Sequence, residues 1–286
     1  MKLLTPVDIP VPAWSIGPKD RLLLLGSCFS DNMAKRLQAR FFTVTANPTG
    51  TLYNPVSIAH HSALFAEADV ILLTFGTAWV YEDLLLQPSN NPLDNIVDNC
   101  QKRPAREFRR LRLSVDDIVN LWKPILQQYS DKCFVFTVSP IRHIKDGLHE
   151  NTLSKAILLQ AVEKLTLNHA DRVFYFPAFE IMLDELRDYR FYAADMLHPT
   201  DTAADYIFER FADTFLNEAE TRAFMDDMYA LHQELQHRPL HPVSCEHQAF
   251  EAHLIEHAQQ LTARYPWTAD AVRQQLENRK LSLIAI

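Results

Sequence analysis

Short, nearly unbroken runs of apolar residues recur along the first two thirds of the chain, each closed by a residue that stops a strand. Residues 22–25 end at Gly26, 70–75 at Gly76, 134–138 at Ser139-Pro140, and 173–176 at Pro177. Runs of this length without polar alternation predict strands buried on both faces. Between them the period becomes that of a helix. Phe29, Met33 and Leu37 fall on one face, and Leu153, Ile157 and Val162 are among the apolar positions of residues 150–167. Residues 178–186 and 200–215 read as further helices. Strands alternating with helices predict an α/β fold, a three-layer α/β/α sandwich around a mostly parallel sheet. Beyond about residue 217 glycine is absent, and no strong strand run appears before residues 281–286. Residues 218–236, 245–264 and 268–279 read as helices punctuated by Pro239, Pro242 and Pro266. The expected organisation is an α/β domain over 1–216 and a helical C-terminal extension over 217–286. No internal repeat or low-complexity segment is evident.

Composition narrows the class. With 286 residues and 48% hydrophobic side chains, the chain can bury a sizeable core. A net charge of −8 argues against nucleic acid, which needs clustered Lys and Arg. The one basic cluster, residues 102–112 with Glu107 inside it, reads as a solvated surface segment. Cys28, Cys100, Cys133 and Cys245 form no CxxC pair and no zinc spacing, so free thiols in a reducing compartment are expected. Pro6, Asp8, Pro10 and Pro12 interrupt the first apolar residues, so no signal peptide is expected. The apolar runs are too short to span a bilayer. These features predict a cytoplasmic location, with neither nucleic acid nor membrane as partner and an open oligomeric state.

Two segments carry candidate chemistry. Ser27 follows the first predicted strand and opens a helix, which puts it on the carboxyl-end rim where open α/β sheets bind ligands. A helix N-terminus offers unpaired N–H groups and positive potential to an oxyanion forming beside it. Alone, Ser27 reads first as a helix N-cap. Asp195 and His198 stand three residues apart before a helical run. In a tight turn the carboxylate reaches the imidazole and fixes its tautomer, leaving the other ring nitrogen to face a serine. Alone, this pair reads equally as helix capping.

Taken together they have a chain order, nucleophile after the first strand and D-x-x-H before the last helix of the α/β part, that resembles the SGNH or GDSL hydrolases. The G-x-S-x-G elbow of the α/β-hydrolases is absent. Gly26-Ser27-Cys28-Phe29-Ser30 resembles the fingerprint of the GSCFA domain family, a bacterial branch related to the SGNH hydrolases. Further blocks at 47–55, 73–81, 137–147 and 195–198 resemble that family in the same order, so the likeness covers about residues 20–215. It implies an SGNH-like catalytic domain and a serine esterase with Ser27 as nucleophile, His198 as base and Asp195 as its orienting partner. It implies no cofactor and no metal, and leaves the substrate at a short acyl ester of a small molecule or carbohydrate. The implied oxyanion donors are the N–H groups of Ser27 and Gly50 and a donor from the block-three loop at Gly76 and Thr77.

Departures from the pattern stand out. Ser30 replaces an alanine. Ala78 stands where most SGNH hydrolases carry an oxyanion-binding asparagine, so either Asn47, Asn54 or Thr77 replaces that donor or the oxyanion hole is weaker. The segment between Tyr53 and Val70 is shorter than in the family and retains only His60-His61-Ser62. Other residues are candidates too. Cys28 is expected to face the sheet as an inert thiol, because neighbours on a helix diverge by about 100°. His143, after a strand end, reads as a substrate contact or as a structural hydrogen bonder. Trp79 and Tyr81 read as core, and His60 and His61 lack a metal-ligand pattern. Two rival readings stay open: an acyltransferase with the same triad, and a non-catalytic binding protein that retains the cleft.

Overall fold

The computed structural model describes residues 4–87, 89, 91, 93–98, 102–239 and 244–284. Its strands are β1 (Arg21–Gly26), β2 (Thr43–Ala46), β3 (Val70–Phe75), β4 (Trp79–Asp83), β5 (Phe108–Arg112), β6 (Cys133–Val138) and β7 (Val173–Tyr175). Five of them form one sheet in the order β2-β1-β3-β6-β7, every neighbouring pair parallel. β4 and β5 form a separate antiparallel ribbon. The helices are α1 (Cys28–Gln38), α2 (Pro55–His60), α3 (Val115–Gln128), α4 (Leu148–Leu167), α5 (Ala178–Glu180), α6 (Asp201–Phe215), α7 (Ala219–Gln236), α8 (Cys245–Arg264) and α9 (Ala269–Ile284). A π-helical stretch, Ile181–Glu185, continues α5.

The apolar runs form the central strands because both faces of the sheet are covered. Leu22 and Leu24 of β1, with Val70, Leu72 and Val135, pack with Phe29, Met33 and Leu37 of α1 and Ile207 and Phe211 of α6. Leu23 and Leu25, with Ile71, Leu73, Phe134 and Phe136, pack on the other face with Val56 of α2, Trp122 of α3 and Leu158 and Val162 of α4. This is the expected three-layer sandwich. Register then sets the rim: Gly26 lies opposite Thr74, and Thr74 opposite Thr137, so β1, β3 and β6 deliver their following loops to one place.

The helices of the C-terminal region join the same core. Phe224 packs edge-on to Phe42 at 5.3 Å, and Met228, Leu231, Leu254 and Leu261 belong to the cluster that contains α1 and α6. Ile16 N–H donates to the Phe215 carbonyl at 2.7 Å, and the Thr221 hydroxyl donates to the Ile16 carbonyl at 3.3 Å.

Several elements differ from the sequence reading. The apolar run at 281–286 is no strand: α9 continues to Ile284, and the last two residues lie outside the described ones. β2 was not foreseen, because as an edge strand it buries no residue fully. β4 and β5 were not foreseen either. β5 is Phe-Arg-Arg-Leu-Arg, and its arginines pair with Glu82 across the ribbon, with Asp146 and with Glu150 of α4 rather than being hidden in a core. Among the described residues no helix is long and apolar enough to cross a membrane.

Candidate active site

Ser27 owes its position to Gly26. With φ at 142°, Gly26 takes a backbone shape that side chains disfavour, and a Cβ there would collide with the Thr74 carbonyl oxygen. The chain turns from β1 directly into α1, and Ser27 caps the helix, its Oγ accepting from Phe29 N–H at 3.3 Å. The same hydroxyl donates to Ser139 Oγ, at the end of β6, at 3.1 Å. Ser27 is only 1% exposed. It is therefore an N-cap and also a rim residue; the two readings coincide.

Asp195 and His198 form a tight turn just before α6. Met196 takes a left-handed φ of 60°, which bends the chain back on itself. Asp195 Oδ1 accepts the N–H groups of Leu197 and His198 at 2.9 and 3.0 Å, and Oδ2 meets His198 Nδ1 at 2.5 Å. The backbone N–H groups, followed by the imidazole, hold the Asp195 carboxyl down to about 2. An ionised carboxylate on Nδ1 leaves Nε2 as the nitrogen able to take a proton. Both side chains are about half exposed. Among the described residues no hydrogen bond joins Ser27 to His198, because the serine proton points to Ser139.

Ser27 and His198 line one cleft of about 660 Å³, together with Cys28, Tyr53, Trp79 and His143. Cys28 thus borders the cleft as well as the core, against the expectation that it faces the sheet. Burial raises its thiol pKa, so it stays protonated and weakly nucleophilic. Cys133 and Cys245 are free thiols, while Cys100 lies outside the described residues. Trp79 and Tyr81 correct a second expectation. They sit on β4 and line the cleft rather than the core, with the Arg110 guanidinium 3.9 Å from the Trp79 ring centroid. The basic cluster is indeed peripheral and ion-paired: Arg103 to Asp83, Arg109 to Glu82, Arg110 to Asp146 and Arg112 to Glu150. Arg110 alone of these borders the cleft.

The residues expected to bind an oxyanion have their donors engaged elsewhere. Gly50, which does not line the cleft, gives its N–H to the Asn47 carbonyl at 2.9 Å. The N–H groups of Gly76 and Thr77 both go to the Tyr53 carbonyl, at 2.8 and 2.9 Å. The Thr77 hydroxyl pairs with Ser154 Oγ at 3.1 Å. Asn47 Nδ2 donates to Asp31 at 2.8 Å, and Asn54 Nδ2 donates to Ser57 Oγ at 2.7 Å while its Oδ1 caps α2. Ala78 is fully buried, with its N–H on Ser154 Oγ at 2.7 Å. Among the described residues, Ser27 N–H at the start of α1, the His143 ring and the unpartnered Trp79 indole N–H are the remaining candidates at the cleft.

What holds these loops escaped the sequence reading. Asn151, Ser154 and Lys155 occupy one buried face of α4. Asn151 Oδ1 accepts His143 N–H at 2.9 Å, and Ser154 takes the N–H of Ala78. Lys155 Nζ donates to the carbonyls of Gly76 and Ser139, both at 2.7 Å. It is 1% exposed, and burial pushes its ammonium down to about 7. No local pattern marks it, because a lysine within a helix reads as surface until the loops above it are known. His60 and His61 share Asp98, at 3.2 and 2.8 Å. Among the described residues no group of three or more metal-ligating side chains occurs.

Comparison with known proteins places this geometry in context. The profile described as "GSCFA family" matches residues 21–63 and 58–211, and "GSCFA domain protein, C-terminal domain" matches residues 229–279. No curated protein sequence matches the chain. Similar solved structures include a member of the lipolytic G-D-S-L family from Veillonella parvula, 10% identical, covering 68% of this chain and 97% of its own with a TM-score of 0.42. An acetyl-xylooligosaccharide esterase mutant from Geobacillus is 12% identical over 70% of this chain and 95% of its own, TM-score 0.44. A GDSL-like lipase from Bacteroides thetaiotaomicron is 10% identical over 75% and 92%, TM-score 0.42.

Proposed function

The chain belongs to the GSCFA family, and from that premise we propose that it is a serine hydrolase that cleaves acyl esters, with Ser27 as nucleophile, His198 as general base and Asp195 as the group that orients it. The observation that carries the reading is the 2.5 Å contact of Asp195 with His198 Nδ1 in the cleft that Ser27 caps from below. A carboxylate-held imidazole and a serine at a helix N-terminus are the parts that two-step acyl transfer needs. On substrate binding the Ser27 hydroxyl turns from Ser139 toward His198 Nε2. His198 takes its proton as Oγ attacks the carbonyl carbon, then returns it to the leaving alkoxide. Water enters and the same steps release the acid. A cleft of about 660 Å³ edged by Trp79 and Tyr81 suits a small ester, including a short acyl group on a carbohydrate.

The engaged oxyanion donors and the buried Ser27 favour a second reading, a binding protein that retains the cleft. One experiment separates the two. A fluorophosphonate probe should label Ser27, and the wild type but not Ser27→Ala should hydrolyse p-nitrophenyl acetate. Equal rates for the two proteins and no label would leave the binding reading. An acyltransferase would label in the same way but pass the acyl group to an added alcohol faster than to water.

A further inference from the structure

An acyl-transfer site needs donors aimed at the carbonyl oxygen, and around this cleft nearly every candidate donor already has a partner. Resting on the serine-hydrolase reading, we propose that the neutral imidazole of His143 donates the side-chain hydrogen bond to the developing oxyanion, in place of the asparagine that Ala78 replaces. His143 lines the cleft with Ser27 and His198. Its ring lies against the end of β3: a Cβ built on Gly76 would stand 3.2 Å from His143 Nε2 and 2.9 Å from the Tyr53 carbonyl oxygen. A side chain at position 76 would displace the ring, so glycine there makes room for it. The ring thus stands beside Gly76, two residues before the position from which the usual asparagine would project.

The ring is held rigidly. Asn151 fixes its backbone N–H at 2.9 Å, and Tyr53 meets it edge-on at 5.8 Å between centroids. Yet Nε2 is buried without a partner. Leaving such a group unpaired is unfavourable, so its retention calls for a reason. Burial, with the charges of Lys155 and His198, brings the His143 pKa down to about 4, so the imidazole is neutral and keeps one N–H. A neutral donor suits the task, because a second imidazolium would oppose the positive charge that forms on His198. In the step itself Ser27 Oγ bonds to the carbonyl carbon, its proton passes to His198, and the carbonyl π pair moves onto oxygen. His143 shares its hydrogen with that oxygen and transfers nothing. When the C–O bond to the alkoxide breaks, the carbonyl re-forms and the bond relaxes.

The test uses the full chain and p-nitrophenyl acetate. His143→Phe keeps a ring against Gly76 and Tyr53 but removes the donor. It should lower kcat by about a hundredfold to a thousandfold with KM within a few-fold of wild type, the loss expected for one oxyanion donor. His143→Asn, which restores an N–H, should recover at least tenfold over His143→Phe. The midpoint of the acid limb of kcat/KM should stay where wild type has it, since His143 moves no proton. Fluorophosphonate labelling of wild-type Ser27 is scored alongside. A labelled, active wild type with a His143→Phe variant of undiminished kcat overturns the role of His143 and leaves the hydrolase intact. A variant set in which Asn recovers no more than Phe overturns it too. An inert, unlabelled wild type overturns both.

Discussion

On the proposed serine-hydrolase reading, the Ser27 hydroxyl is the group on which activity most directly depends. Ser27→Ala and His198→Ala should each lower esterase kcat by at least about a thousandfold, and the double variant should lose no more, because members of one catalytic unit are not additive. Cys28→Ala should leave kcat within about twofold, since burial keeps that thiol protonated. Steady-state rates on purified variants check all three. Asp195 sets the acid behaviour. Its folded pKa, about 2, lies below the reference value of 3.8, so its contribution is present above 3.8 and is lost only as pH falls through about 2. Protonation of Asp195 should therefore not be the cause of any loss of activity in mild acid, and Asp195→Ala should lower the rate while keeping an acid limb of the same sign. The sequence singles out these three candidates because each lies in a contiguous stretch with a local signature, a strand stop before Ser27 and D-x-x-H at 195–198. The oxyanion donors were misread for the opposite reason. Whether the N–H of Gly50 or Gly76 is free depends on a carbonyl that only the folded loop supplies, from Asn47 in one case and Tyr53 in the other.

At the scale of elements, α4 acts as a buttress for the rim. Asn151, Ser154 and Lys155 follow helical spacing, and all three are buried among polar partners from the loops after β3 and β6. Lys155 yields a pH prediction. Its folded pKa, about 7, lies below the reference 10.5, so between those values the unfolded chain binds more protons and stability rises with pH. Thermal melts from about pH 7 to about pH 10 should show wild type gaining Tm relative to Lys155→Met; parallel curves would contradict a buried, titrating lysine. The same variant should slow the esterase by loosening Gly76 and Ser139. The doubly buried strands β1, β3 and β6 were legible because unbroken apolar runs have few other uses. β2 and the β4–β5 ribbon were not, since an edge strand and a ribbon of arginines bury too little to mark their sequence. For β2, the β-branched Thr43, Val44 and Thr45 were the available hint.

Across the whole molecule, one of the two cores runs from the sheet through α1 and α6 into the C-terminal helices. Phe224→Ala, which removes a fully buried ring packed on Phe42 and Tyr265, should cost about 3–5 kcal/mol. Because the core is shared, calorimetry should record one lowered transition for the chain; a separate early transition would mean that the C-terminal helices melt alone. The β4–β5 ribbon stands in a different relation to the rest. Its two strands form their own ladder, with β4 also bridged to Ile96, and Trp79, Tyr81 and Arg110 line the cleft. Ser27, Asp195 and His198 all belong to the frame built on the five-stranded sheet. On the proposed serine-hydrolase reading, the aromatic edge of the cleft and the residues that would break the bond stand on different pieces of chain, so exchanging Trp79 and Tyr81 should change which ester is accepted before it changes how the bond is broken.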